Sequence, residues 1–243
     1  MLCLDINQGC TGFLYGLLQS FLLLQSGLRR VVLLSADTLS RRCCPRDRNT
    51  YPLIGDAAAV TVVEDAHRDG REIFMNLQSD GSRSGWLIIP AGAFRMPSSE
   101  QTRRARTMPD GNQRSDEDFY MNGTGIFTFT QTDVPAAIRA LFRSASMTMD
   151  EIDYFIFHQP NRFMLEKLAD KLGVPRQKMP DNIVEKFGNP SSASIPLTIC
   201  YNMGRILLER DQLVCMSGFG AGLSWGALIM NLGPLKFCDL IEK

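Results

Sequence analysis

Apolar positions in this chain come in short runs divided by glycine, proline and charge, and their spacing predicts alternating strands and helices. Residues 2–6 form an apolar segment expected as a strand, and residues 11–25 carry a helical pattern that Gly27 should end as a C-cap. The run 31–35, Val-Val-Leu-Leu-Ser, then reads as a second buried strand. Within the helix, residues 13–24 are almost wholly apolar but are broken by Gly16, Gln19 and Ser20, too short a run to span a bilayer. Such a strand–helix–strand unit predicts parallel strands with ligands gathered at their carboxyl ends.

Residues 41–48 form a basic, cysteine-containing loop, and residues 57–64 form a third strand entered through Gly55-Asp56. From Asp65 to Asp118 charge, Ser, Gly and Pro predominate, with brief strand-like pieces at 73–77 and 86–89, so this stretch is expected to be a long connection carrying a small excursion. A helix follows from about Thr124 to Ser144, interrupted or kinked near Pro135. Strand 154–157 ends at His158, helix 162–172 stops at Gly173, and Gly188-Asn189 opens a helix reaching Leu208. Pro196 must lie in the first turn of that helix or bend it. The chain closes with strand 213–216, a glycine-rich turn at 218–222 and strand 225–231. The order Gly-Cys, helix, strand, loop, strand near the start is echoed by Gly-Asn, helix, strand, glycine loop, strand near the end. The echo implies two related half-folds: residues 1–65 and 119–243, joined by the excursion 66–118.

Composition narrows the class. With 243 residues, 44% of them hydrophobic and 21% charged, the chain can bury one large core or two small ones. Its formal net charge of +0 argues against bulk binding to nucleic acid or to an anionic membrane. Seven cysteines show neither C-x-x-C pairs nor histidines at metal spacing, so neither a metal site nor a disulfide framework is expected. That usage, with no basic region and apolar run at the opening residues, suggests the reduced cytoplasm.

One cysteine stands apart. Cys10 lies between Gly9 and the helix beginning at Thr11, where unpaired N–H groups and the helix dipole favour a thiolate, so its pKa is expected to fall below that of a free thiol. A core cysteine fits the same spacing. His158 ends an apolar strand, and the other histidine, His67, belongs to a charged loop. Asn189 could serve only as a helix cap, and Gly220 only in a hairpin turn.

Five segments together resemble one family. Asp5-Ile-Asn-Gln-Gly-Cys10-Thr-Gly-Phe, Gly55-Asp56-Ala-Ala-Ala, His158-Gln-Pro-Asn161, Gly188-Asn189-Pro-Ser-Ser-Ala-Ser and Phe219-Gly-Ala-Gly-Leu-Ser-Trp-Gly226 are similar, in order, to motifs of the ketoacyl–acyl-carrier-protein synthase III family. The resemblance implies a thiolase-like α/β/α/β/α fold of two similar halves. It implies a catalytic triad of Cys10, His158 and Asn189, with oxyanion donors on the backbone N–H groups of Cys10 and Ala221. Arg48, Asn161, Arg162 and Gly220 would touch substrate. Members of the family carry an N-terminal third that this sequence does not show, so the first half is expected to be incomplete, with apolar edges near Leu2 and Val31.

The activity so implied is a decarboxylating Claisen condensation: an acyl group from acyl-CoA is held as a thioester on Cys10 and joined to malonyl–acyl carrier protein. No permanent cofactor is implied, since coenzyme A and the carrier's phosphopantetheine arrive as substrates. A homodimer or heteromer and an acidic carrier protein are the implied partners. Arg139 and Arg143 on one helix and Arg162, Lys167 and Lys171 around the next are expected either to dock that carrier or to form a solvated helix face. A non-catalytic companion subunit and an acyltransferase without decarboxylation are the alternatives.

Overall fold

The computed structural model describes residues 2–65 and 72–242. The first part comprises helix α1 (Gly12–Gln25) and strands β1 (Arg30–Asp37), β2 (Ala57–Glu64) and β3 (Phe74–Ser79). Short pieces follow: β4 (Leu87–Ile88), α2 (Glu100–Arg103), β5 (Arg106–Thr107), β6 (Gln113–Arg114) and β7 (Tyr120–Met121). The remainder holds α3 (Gly123–Ala145), β8 (Tyr154–Phe157), α4 (Arg162–Leu172), α5 (Ile183–Phe187), α6 (Ser194–Glu209), β9 (Gln212–Gly220) and β10 (Ser224–Leu232). His67 lies outside the described residues.

The central sheet has the order β3-β10-β9-β8, with β8 and β9 parallel and the other pairs antiparallel. Because successive strand residues point to opposite faces, the sheet feeds two cores. Phe155, Phe157, Cys215 and Ile229 join Ile138 and Phe142 of α3 and Leu165 and Leu168 of α4. Ile156, Val214, Met216 and Leu228 join Phe13, Leu14 and Leu17 of α1 and Ile195 and Met203 of α6. Each of these side chains contributes about 1.5–3 kcal/mol on burial, so the sheet with its two helix pairs is the stable body of the molecule. Strands β1 and β2 pack outside α1 and α6, giving successive layers of helix, sheet, helix and sheet among the described residues.

Several expectations need correction. Residues 2–6 form no strand: Leu2, Leu4 and Ile6 are exposed, and no ladder joins them to another described strand. The parallel pairing expected around them is therefore absent. β1 pairs instead with β2, antiparallel, as suits a connection without a crossover helix. The outward faces of this pair expose Val32, Leu34 and Val60, in keeping with the apolar surface expected near Val31. The stretch 66–118 is more than a connection, because β3 is an edge strand of the central sheet, hydrogen-bonded to β10. Pro135 does not interrupt α3. Pro196 occupies the first turn of α6, where the N–H it lacks would have had no intrahelical partner. Gly218 and Gly220 belong to β9 and not to a turn; the chain reverses at residues 221–223.

Candidate active site

Three chain reversals meet at the end of β9. Cys10 precedes α1, whose N-cap is Thr11. The buried Thr11 hydroxyl lies 2.7 Å from that of Ser224, and the Ser224 hydroxyl donates to the Ala221 carbonyl at 2.8 Å, so the turn after β9 is fastened to the turn before α1. His158 follows β8, and its backbone N–H donates to the Ser217 carbonyl at 2.8 Å. Asn189 is held across the molecule: its N–H donates to Leu53 O at 2.7 Å, and its carbonyl accepts from Gly55 N–H at 3.2 Å. The backbones cross so closely that a Cβ on Gly55 would lie 1.7 Å from Phe187 O, while Gly188 adopts φ +68°. Only glycine fits this crossing.

Cys10, His158, Asn161, Asn189, Ser191 and Gly220 all line one narrow cavity of about 50 Å³, whose other walls include Leu87, Phe119, Ile126, Phe129 and Phe219. Of these, Cys10, His158, Asn161, Asn189 and Gly220 are the residues that the family resemblance singles out, and Ser191 joins them. Asn161 also caps α4, its side-chain oxygen accepting from Met164 N–H at 2.8 Å. Arg48 and Arg162 are not among the lining residues. The Arg48 side chain is exposed, and the Arg162 guanidinium makes two 3.0 Å hydrogen bonds to Glu185. Arg139 donates to the Lys171 carbonyl at 2.5 Å, joining α3 to the end of α4.

The electrostatics reverse one expectation. Burial pushes the Cys10 thiol up, not down. The backbone N–H groups of Ala221 and Cys10 and the Ser191 hydroxyl, 4.0 Å from the sulfur, all favour the thiolate, but desolvation outweighs them and the Asp37 charge adds to it. Cys10 is therefore a thiol at neutral pH. Burial likewise pulls His158 down to about 3, against a backbone hydrogen bond at Ser191, so the imidazole is neutral. Its Nδ1 lies 2.8 Å from the Ser194 hydroxyl, and the ring meets Phe219 edge-on at 5.5 Å.

Three further residues, none of them marked by the sequence motifs as functional, support the site. Asp37, at the carboxyl end of β1, accepts from both the backbone N–H and the hydroxyl of Ser192. Ser191, at φ +50°, donates its N–H to the Asn189 side-chain oxygen at 2.9 Å, so that the amide NH₂ remains a donor for other partners. Ser194 supports His158. The run Ser191-Ser-Ala-Ser194 was visible in the sequence, and the strand-end position of Asp37 is where functional groups gather in α/β sheets. Neither signal indicated which side chain each residue would meet.

Residues 4–81 match the family described as 3-oxoacyl-[acyl-carrier-protein (ACP)] synthase III, and residues 142–232 match the corresponding C-terminal domain family. A beta-ketoacyl-[acyl-carrier-protein] synthase III of Streptococcus suis is 37% identical over 231 residues, covering 94% of this chain and 67% of that protein. A Campylobacter jejuni protein, provisionally named 3-oxoacyl-[acyl-carrier-protein] synthase 3, is 33% identical over 239 residues, 98% of this chain and 65% of its own length. The crystal structure of a 3-oxoacyl-(acyl-carrier protein) synthase from Burkholderia xenovorans superposes with a TM-score of 0.89 at 37% identity, over 100% of this chain and 67% of that one. The chain thus spans about two thirds of the length of these relatives. Among the described residues, no helix is long and apolar enough to cross a membrane.

Proposed function

The chain belongs to the 3-oxoacyl-[acyl-carrier-protein] synthase III family of condensing enzymes, with a thiolase-like α/β fold, and on that premise we propose that it catalyses a decarboxylating Claisen condensation between a Cys10-bound acyl group and malonyl–acyl carrier protein. The observation that carries this reading is the meeting of Cys10, His158 and Asn189 at one apolar cavity.

In the first half-reaction the Cys10 sulfur attacks the carbonyl of an acyl-CoA. The new C–S bond forms as the bond to coenzyme A breaks, and the thiol proton of Cys10 ends on the departing coenzyme A sulfur. The backbone N–H groups of Cys10 and Ala221, which already favour negative charge on the sulfur, are suited to stabilising the oxyanion that develops there. In the second half-reaction malonyl thioester loses carbon dioxide, and negative charge gathers on its thioester oxygen. A neutral His158 and the Asn189 amide can donate hydrogen bonds to that oxygen without carrying charge themselves. The enolate carbon then attacks the Cys10 thioester, and the released Cys10 sulfur takes a proton.

Labelled acyl-CoA tests the assignment. Label should appear on the Cys10 peptide, and the His158→Ala and Asn189→Ala variants should still acquire it while losing carbon dioxide release from malonyl–acyl carrier protein. Label on another peptide, or equal loss of both half-reactions in both variants, would overturn the division of roles. The exposed Val32, Leu34 and Val60 favour a second reading, in which the chain acts as one subunit with its outer sheet covered by another polypeptide. A purified 243-residue protein that is monomeric and fully active in condensation would exclude that reading.

A further inference from the structure

Away from the cavity, two thiols face each other. Cys200 lies on α6 and Cys238 in the tail that follows β10, and the Cys238 S–H points at the Cys200 sulfur across 3.7 Å. The tail is held on both sides of this contact, against α6 by the Leu235 N–H, which donates to Leu207 O at 2.6 Å, and against α5 by Lys186, which pairs with Glu242 at 2.5 Å. Gly204, one turn beyond Cys200, leaves room for the Cys238 backbone, whose carbonyl oxygen would lie 3.0 Å from a Cβ at that position. Both cysteines are half-buried, so a small oxidant can reach them.

We propose that Cys200 and Cys238 are a peroxide-reactive dithiol that closes to a disulfide and fastens the C-terminal tail covalently to α6. The irregular tail can move the remaining distance to bonding contact without disturbing a sheet or a helix. The hydrogen bond from Cys238 holds Cys200 down at about 7, whereas burial raises Cys10 and Cys215 and pushes Cys43 up to about 11. Cys200 is thus the attacking sulfur. Its thiolate takes one oxygen of hydrogen peroxide, forming an S–O bond as the O–O bond breaks and hydroxide leaves. The Cys238 sulfur then attacks the sulfenic sulfur, the S–S bond forms, and the departing hydroxide takes the Cys238 proton as water. The hydroxide of the first step takes up the proton that Cys200 lost on becoming a thiolate, so two electrons pass from the two thiols to one peroxide and two waters result.

The test treats the 243-residue protein with hydrogen peroxide near neutral pH, blocks the remaining thiols and maps the digest by mass spectrometry. A Cys200–Cys238 linked peptide, about 2 Da lighter than the sum of its parts and reversed by dithiothreitol, is expected. The thermal midpoint should rise by roughly 5 °C or more in the oxidised form. In Cys238→Ser, checked for folding by circular dichroism, dimedone should trap Cys200 sulfenic acid roughly tenfold more than in the wild type, because nothing resolves it. Linkage of Cys200 to other cysteines, over-oxidation of Cys200 without linkage, or equal dimedone capture in both proteins would overturn the proposal.

Discussion

A Cβ on Gly220 would lie 2.6 Å from the Cys10 sulfur, so the last residue of β9 is glycine because the thiol occupies the space of a side chain. The requirement is one of close approach. Gly220→Ala should push the Cys10 side chain off its position and slow acyl transfer to it by roughly 100-fold, as expected for a displacement near one ångström. Timed acylation with labelled acyl-CoA measures this. A rate within a few-fold of wild type would show that the sulfur's position is not critical.

The raised pKa of Cys10 predicts its alkylation profile. Its reaction with iodoacetamide should keep climbing from pH 7 to 9, while Cys200, held at about 7, should level near neutrality. Peptide-resolved labelling rates separate the two. A plateau for Cys10 below pH 8 would contradict the dominance of desolvation.

His158 predicts a pH dependence of stability. Its folded pKa, about 3, is below the usual value of 6.5, so the unfolded chain binds this proton first as pH falls. The corresponding stability is fully present above pH 6.5 and is lost progressively down to pH 3, amounting to a few kcal/mol, roughly 1.4 kcal/mol per unit. Urea denaturation from pH 7 to pH 4 should show the decline, and His158→Asn should flatten it. An unchanged slope in the variant would assign the decline to other groups.

Ser194 positions His158 through the 2.8 Å contact at Nδ1. Ser194→Ala leaves a buried ring nitrogen short of a partner, at a cost of about 1–3 kcal/mol, and should slow condensation roughly 10–100-fold while acylation of Cys10 changes little. Measuring the two half-reactions separately distinguishes this from general loss of structure, which would lower both.

Asp37 holds Ser192 and also raises the Cys10 pKa by its charge. Asp37→Asn should therefore speed alkylation of Cys10 at pH 8 while lowering stability by about 1–3 kcal/mol. Slower alkylation in a folded variant would show that the carboxylate does not act on Cys10 through its charge.

The sequence by itself determined the kinds of element and their order. Apolar spacing located α1, α3, α4 and α6 and strands β1, β2, β8 and β10 to within a few residues, because these helices and strands bury one face or both and must repeat apolar residues accordingly. Cys10 stood out by its place between Gly9 and a helix start, whereas His158 and Asn189 became candidates through the resemblance of five ordered motifs to the family. What each group would meet was decided only by the tertiary structure. The helix start before α1 pointed to a depressed Cys10 pKa. Burial beneath Gly220 and beside Phe219, from the far end of the chain, reversed that direction. Likewise, residues 73–77 read as a brief strand-like piece of a connection, and only pairing with β10 makes β3 an edge of the central sheet, while residues 2–6 had the composition of a strand but no described neighbour. Asp37 meeting Ser192, and Cys200 meeting Cys238, follow no local pattern. Periodicity is a property of consecutive residues. Desolvation, strand pairing and side-chain contact depend on atoms distant in sequence, and only packing brings those together.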